Sequence, residues 1–349
     1  MQVENSRMIY RGTNELARVY RGTTIVWEPG SGDPYYNEYL TFEVVGSGDG
    51  TFDFLPASGF SGNIQISKND GPWIDYYSAT TEDRTISTGG RIRVKGNNYQ
   101  YSGSRMLIDG GTEYYIYGNI MSLLYGDSFT RKRTLYDWNS HCFSELFDAS
   151  TAKYRYCTSA ENLVLPATKL SDGCYDSMFR LQTRLEHAPK LPATTLADSC
   201  YIWMFRDCSS LLAAPYLPAK TMKLNCYSFM FLNCSSITST QETLPTTKLA
   251  AHCYRGMFQG CSSLTTAPVM LETEINPIPN TCYQQMFSGC TSLNYIKCME
   301  KYYIGQDNFT NNWVSGVAPT GTFVRNTDAR WAWGDGGIPS GWTVVYASA

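Results

Sequence analysis

The chain has 349 residues, room for two or three domains, and 43% of them are hydrophobic. Charged residues make up only 17% and the net charge is −3, which leaves no electrostatic footprint for nucleic acid. No stretch approaches the ~18 apolar residues of a membrane-spanning helix, so no membrane insertion is expected.

Residues 1–30 read as a small separate module. Tyr10-Arg11-Gly12-Thr13 and Tyr20-Arg21-Gly22-Thr23 echo each other, and the second runs on through Thr24-Ile25-Val26-Trp27. Alternating β-branched and aromatic residues of this kind predict a hairpin. Arg11, Arg21 and Trp27 are its candidate contacts to a partner. Glu28–Pro34 is a linker by composition.

Residues 31–126 form the next unit. Short β-like runs occur at Leu40–Val45, Thr51–Leu55, Asn63–Ser67, Trp73–Tyr77, Arg91–Lys95, Tyr99–Tyr101 and Tyr114–Ile120. Gly46–Gly50, Asn69–Gly71, Gly89-Gly90 and Asp109–Gly111 punctuate them. Seven short strands at this spacing predict an immunoglobulin-like β-sandwich. Trp73, Tyr76, Tyr77 and Tyr101 are candidates for a sugar-stacking platform, although packing is the usual fate of aromatics in strands.

Residues 127–299 carry a repeat. Cys-Tyr-x-x-Met-Phe occurs at Cys174–Phe179, Cys200–Phe205, Cys226–Phe231, Cys253–Phe258 and Cys282–Phe287, its first cysteine recurring at steps of 26, 26, 27 and 29 residues. Cys142–Phe147 opens the array as a degenerate copy. A fixed period in this range marks a solenoid, whose terminal repeats are atypical because they cap the core. The Cys-to-Met and Tyr-to-Phe spacings of four predict a short helix in each copy. The Gly-Cys or Asn-Cys that follows would end it. Ser-Ser-Leu then leads into a short strand closed by proline. Cys174, Cys200, Cys226, Cys253 and Cys282 would form one internal ladder and Met178, Met204, Met230, Met257 and Met286 another. Leu185, Leu211, Ile237, Leu264 and Leu293 would form a third. Residues 300–349 would cap the array through Trp313, Phe323 and Trp342. Trp331 and Trp333, alternating in a Gly-rich loop, are candidates for a contact patch.

The repeat resembles the BspA-like leucine-rich repeats of gut-anaerobe surface proteins and of the phages that infect those bacteria. The resemblance spans Leu135–Met299 and implies an α/β leucine-rich-repeat solenoid with a C-terminal cap. It also implies binding of protein or glycan rather than catalysis. The segments around Tyr-Arg-Gly-Thr and Gly118–Leu123 resemble stretches of structural proteins in the same group, crAss-like tailed phages.

Ten of the twelve cysteines fall at two repeat positions. Their Cys-x7-Cys spacing does not fit zinc, and there are only three histidines. They read as small buried hydrophobes without disulfides. No nucleophile elbow, phosphate loop, dinucleotide fingerprint or metalloprotease motif occurs. No cofactor, metal or catalytic residue is expected. With no catalytic motif to set against it, the resemblance implies a non-enzymatic virion protein, a head or tail fibre or decoration. It would dock through its N-terminus and bind other virion proteins or a host-surface glycan or protein, as a homo-oligomer with a trimer favoured. The opening MQVENSRMIYRG lacks a secretory apolar run, which favours a virion assembled in the host cytoplasm. The alternatives are a bacterial cell-surface adhesin and a polysaccharide depolymerase.

Overall fold

The computed structural model describes residues 19–21, 24–27, 33–274, 278–301 and 308–347. Near the N-terminus β1 (Val19–Arg21) and β2 (Thr24–Trp27) pair antiparallel as a hairpin. Most of the predicted linker Glu28–Pro34 lies outside the described residues.

Eight strands follow: β3 (Leu40–Val44), β4 (Gly50–Leu55), β5 (Ile64–Lys68), β6 (Ile74–Asp75), β7 (Thr85–Ile86), β8 (Arg91–Gly96), β9 (Arg105–Asp109) and β10 (Tyr114–Asn119). One sheet runs β10-β3-β8-β5-β6 and the other β7-β4-β9. Inward residues alternate along each strand, as in β8, where Ile92 and Val94 are buried between partly exposed Arg91, Arg93 and Lys95. The strand order corrects the immunoglobulin-like expectation. In that fold the first strand lies beside the second, whereas here β3 lies between β8 and β10. Tyr99–Tyr101 is not a strand, and β7 and β9 lie outside the predicted runs.

The larger correction concerns the repeats. Among the described residues the α-helices are two four-residue turns, α1 (Thr81–Arg84) and α2 (Ser122–Tyr125), and neither lies in the array. The chain is mainly β, so the expected α/β leucine-rich-repeat solenoid is not what forms. Cys-Tyr-x-x-Met-Phe is instead a run of tight turns. In the coil at 223–234 the amides of Cys226, Ser228, Met230 and Leu232 bond to the carbonyls three residues back. The intervening amides of Asn225, Tyr227, Phe229, Phe231 and Asn233 bond to carbonyls of the next coil, those of Ala251, Cys253, Arg255, Met257 and Gln259. Asn225, Phe229 and Asn233 have φ of 54°, 53° and 60°. A left-handed residue every fourth position ends any helix before it begins and turns alternate amides toward the neighbouring coil.

The remaining strands complete the coils. In the first, β11 (Cys157–Ser159) and β12 (Leu163–Val164) pair parallel with β10 and extend the sandwich sheet to seven strands. Towards the other end β13 (Thr243–Leu244), β14 (Val269–Met270), β15 (Tyr295–Cys298), β16 (Thr322–Arg325) and β17 (Thr343–Tyr346) form a parallel sheet, one strand per coil.

Inside the solenoid the repeated side chains stack in columns. Phe143, Tyr175, Tyr201, Tyr227, Tyr254 and Tyr283 form one, with ring centroids 5.6 to 5.9 Å apart. Phe147, Phe179, Phe205, Phe231, Phe258 and Phe287 form another, at 5.2 to 5.9 Å. Most neighbouring rings are near-parallel, an offset geometry their quadrupoles favour. The Cys, Met and Leu/Ile residues of the three predicted ladders lie beside them, all buried.

Both ends of the array are closed by chain. The amides of Tyr101, Gly103 and Met106 bond to the carbonyls of Cys142, Ser144 and Leu146, so the sandwich takes the place of a preceding coil. At the far end Tyr283, Gln285, Phe287 and Gly289 donate to Phe309, Asn311, Trp313 and Ser315. Trp313 sits across both aromatic columns, 6.5 Å from Tyr283 and 6.1 Å from Phe287, with its indole N–H on the Gly337 carbonyl.

Replacing Phe231, in the middle of its column, should leave a void the stacked neighbours cannot fill. Phe231→Ala should lower unfolding free energy by about 3–5 kcal/mol in urea titration. A loss below ~1 kcal/mol would mean that the column is not a packed core.

Candidate binding surfaces

The structure separates the residues proposed for contact. Arg11 lies outside the described residues. Arg21 pairs with Thr24 and Val19 with Trp27 across the hairpin backbone. Trp331 is half-buried, stacked on Trp313 at 5.2 Å and edge-on to Phe323 at 4.9 Å, so it serves the cap. Trp333 is 61% exposed. Trp331 and Trp333 therefore do not make a joint patch.

The sugar-stacking platform does not assemble either. Tyr101 is buried, its hydroxyl donating to the Leu123 carbonyl at 2.8 Å. Tyr76 packs edge-on against Phe52 and Phe54. Trp73 is covered by Tyr39 and by the Lys95 ammonium, 4.4 Å from its ring centroid. Tyr77 alone of the four faces solvent.

A different aromatic surface forms where the sandwich meets the first coil. An open cleft of about 470 Å³ lies among Asn97–Tyr99, Leu124-Tyr125, Arg131–Thr134, Tyr136 and Trp138-Asn139. Tyr99 is 79% exposed, Trp138 65% and Tyr136 44%. The 3-10 turn Asp137–Asn139 projects Trp138 outward. The Asn139 side chain accepts from the Tyr136 amide at 3.1 Å and donates to the Tyr99 carbonyl at 3.0 Å, tying the two walls together. Tyr136 and Trp138 stack at 4.5 Å and 12°. Lys132 lies over Tyr125 at 4.8 Å, and Arg133 over Tyr36 at 5.5 Å. Arg131 is exposed at a φ of 69°. No carboxylate lines the cleft. Sequence reading passed over this site. The available signal was Arg131-Lys132-Arg133, three consecutive cations just before Tyr136 and Trp138 in a chain poor in charge.

The buried titratable groups are tuned for packing. All twelve cysteines are free and buried. Burial pushes every thiol up, Cys226 and Cys290 to about 12, which keeps them protonated and unreactive near neutral pH. Four of them also donate to a neighbouring coil. The thiols of Cys208, Cys234, Cys261 and Cys290 reach the carbonyls of Phe179, Phe205, Phe231 and Phe258 in the preceding coil at 3.0 to 3.2 Å. No group of three or more His, Cys, Asp or Glu side chains suited to a metal occurs among the described residues. No described helix is long and apolar enough to cross a membrane. No protein-family model, curated protein or solved structure matches the chain.

Glu300 is the exception among the buried acids, because among the described residues its carboxylate is held by neutral donors. Its carboxylate accepts from the Thr273 amide at 3.3 Å, the Thr273 hydroxyl at 3.2 Å and the Tyr283 hydroxyl at 3.1 Å. Burial outweighs these donors and raises its pKa above the ordinary glutamate value. The neutral form is therefore the better fit to the fold. Its contribution is fully present below the unfolded pKa and is lost as pH rises through the raised folded value. Glu300→Gln should gain stability relative to the native chain as pH rises from 4 to 7. Paired thermal melts would show this, and a constant difference across that range would refute it.

Proposed function

We propose that this chain is a non-enzymatic structural protein of a tailed-phage virion, a head or tail fibre or decoration. It attaches through its N-terminal segment and holds a rigid repeat surface outward for contact with other virion proteins or with the host. The observation that supports this most is mechanical. β10 belongs to the sandwich and to the first coil's sheet at once, and a single hydrophobic core runs from Leu40 to Trp342. Amide hydrogen bonds between coils then continue to the cap, so among the described residues the sandwich, the coils and the cap are joined without a break in the core. A spacer that must keep its far end in a fixed orientation needs that continuity. The phage setting rests on the resemblance of the repeat sequence, Cys-Tyr-x-x-Met-Phe, to BspA-like repeats.

The cleft at Tyr99, Tyr136 and Trp138 favours a second reading, a bacterial cell-surface adhesin. Exposed aromatics beside cations suit a surface glycan in either setting.

Peptide mass spectrometry of purified phage particles, with antibody labelling by electron microscopy, tests the first reading. The protein should be present at fixed copy number, with label on a head or tail appendage. Recovery only in bacterial envelope fractions would replace it with the adhesin.

A further inference from the structure

We propose that the cleft between the sandwich and the first coil is a binding site for an acidic oligosaccharide, one bearing carboxylate groups on its sugar rings. This deepens the surface-binding role above and rests on it.

Three features of the cleft point the same way. The first is an open aromatic face. Trp138 is 65% exposed although Tyr136 already covers one side of its ring at 4.5 Å. A stacked pair of this kind holds the indole flat and leaves its other face to the solvent. Tyr99 is 79% exposed on the facing wall. Rings held at such exposure lose burial energy that a core position would supply, and the apolar face of a pyranose recovers it on binding.

The second feature is charge. Arg131, Lys132 and Arg133 line the cleft, while Asp137, exposed on the turn between Tyr136 and Trp138, is not part of its lining. Asp127, close by in sequence, is occupied by Lys95 at 2.8 Å and the Tyr39 hydroxyl at 2.8 Å. Arg133 is braced by Tyr36. Lys132 rests on a tyrosine ring rather than on an acid. A planar guanidinium such as that of Arg131 accommodates a carboxylate in a two-point contact.

The third is rigidity. Tyr99 belongs to the sandwich side and Trp138 to the solenoid side, yet the Asn139 bridge and the hydrogen bond from the Tyr101 amide to the Cys142 carbonyl fix their separation. A preformed site loses little entropy of its own on binding.

Single-stranded nucleic acid also uses rings and cations. It is disfavoured because the chain carries a net charge of −3, and three adjacent cations form one patch rather than a track along a phosphate backbone. A short acidic oligosaccharide needs only a single patch.

The full chain should be titrated with tetragalacturonate, following tryptophan fluorescence, and applied to an array of uronic- and sialic-acid glycans. The expected result is retention of at least one acidic class. The carboxyl-methylated or reduced form of the retained glycan should bind at least tenfold more weakly, as should the acid form to Trp138→Ala and Arg131→Gln. Both side chains are exposed, so the thermal melts of the variants should match the native chain. Failure to retain any acidic glycan, equal binding of the neutralised form, unchanged binding by Trp138→Ala, or displacement by a thymidine oligonucleotide would each overturn the proposal. Such a failure would leave the location of the protein on the particle untouched, since particle mass spectrometry reads that separately.

Discussion

The structure depends on a left-handed residue at every fourth position of the repeated turn. Asn225, Phe229 and Asn233 in one coil, and His252, Gly256 and Gly260 in the next, all have φ between 53° and 75°. The constraint redirects the backbone's hydrogen bonds. In a helix every amide is satisfied within its own segment. Here alternate amides are satisfied only by the neighbouring coil, so no coil can be complete alone. Residues such as Gly, Asn and Asp meet the conformation cheaply, whereas Trp203 and Phe229 adopt it at a cost of ~1–2 kcal/mol each. Gly256 adds a packing reason, because a Cβ there would fall on the ring of Phe229 in the preceding coil.

Once alternate amides face the next coil, the register between coils is set and like side chains must lie over like. This explains the aromatic columns and also the chemistry of the second set of cysteines. Packed against the preceding coil, each thiol finds a phenylalanine carbonyl that already accepts one turn amide, and adds a weak second bond. Small size and a donor in one side chain make cysteine suitable there in a way that alanine is not. The ends follow the same logic. The sandwich supplies amides at Tyr101, Gly103 and Met106 in coil register, and Trp313 spans the two columns where the repeat sequence stops.

What was legible in the sequence was the repeat, its period and which of its residues face inward. Cys, Tyr, Met and Phe are apolar at every copy, and burial follows from that whatever the backbone does. The backbone itself was misread for a physical reason. The turn unit is four residues long, close to one turn of a helix, so the spacing of Cys253 to Met257 is the same in either. The better clue was the residue one place before each pair and its four-residue successors, such as Asn225 and Asn233 or Gly256 and Gly260, which tolerate positive φ. In the sandwich, glycine and Asn-Asp-Gly turns marked several strand ends, but strand order depends on long-range pairing that local pattern does not carry. Of the cleft only the run Arg131-Lys132-Arg133 was legible, since Tyr99 and Trp138 meet only through the sandwich-to-coil register.

The most direct test of this account is the backbone conformation of one interior coil, read by nuclear Overhauser effects in isotope-labelled protein. Strong intraresidue amide-to-α-proton effects at Asn225, Phe229 and Asn233, with contacts from the Tyr227 and Phe231 amides to the coil at 253–257, are the predicted result. Unbroken α-proton-to-amide contacts three residues apart from Cys226 to Asn233 would mean a helix, and would contradict the stacked-turn solenoid at its root.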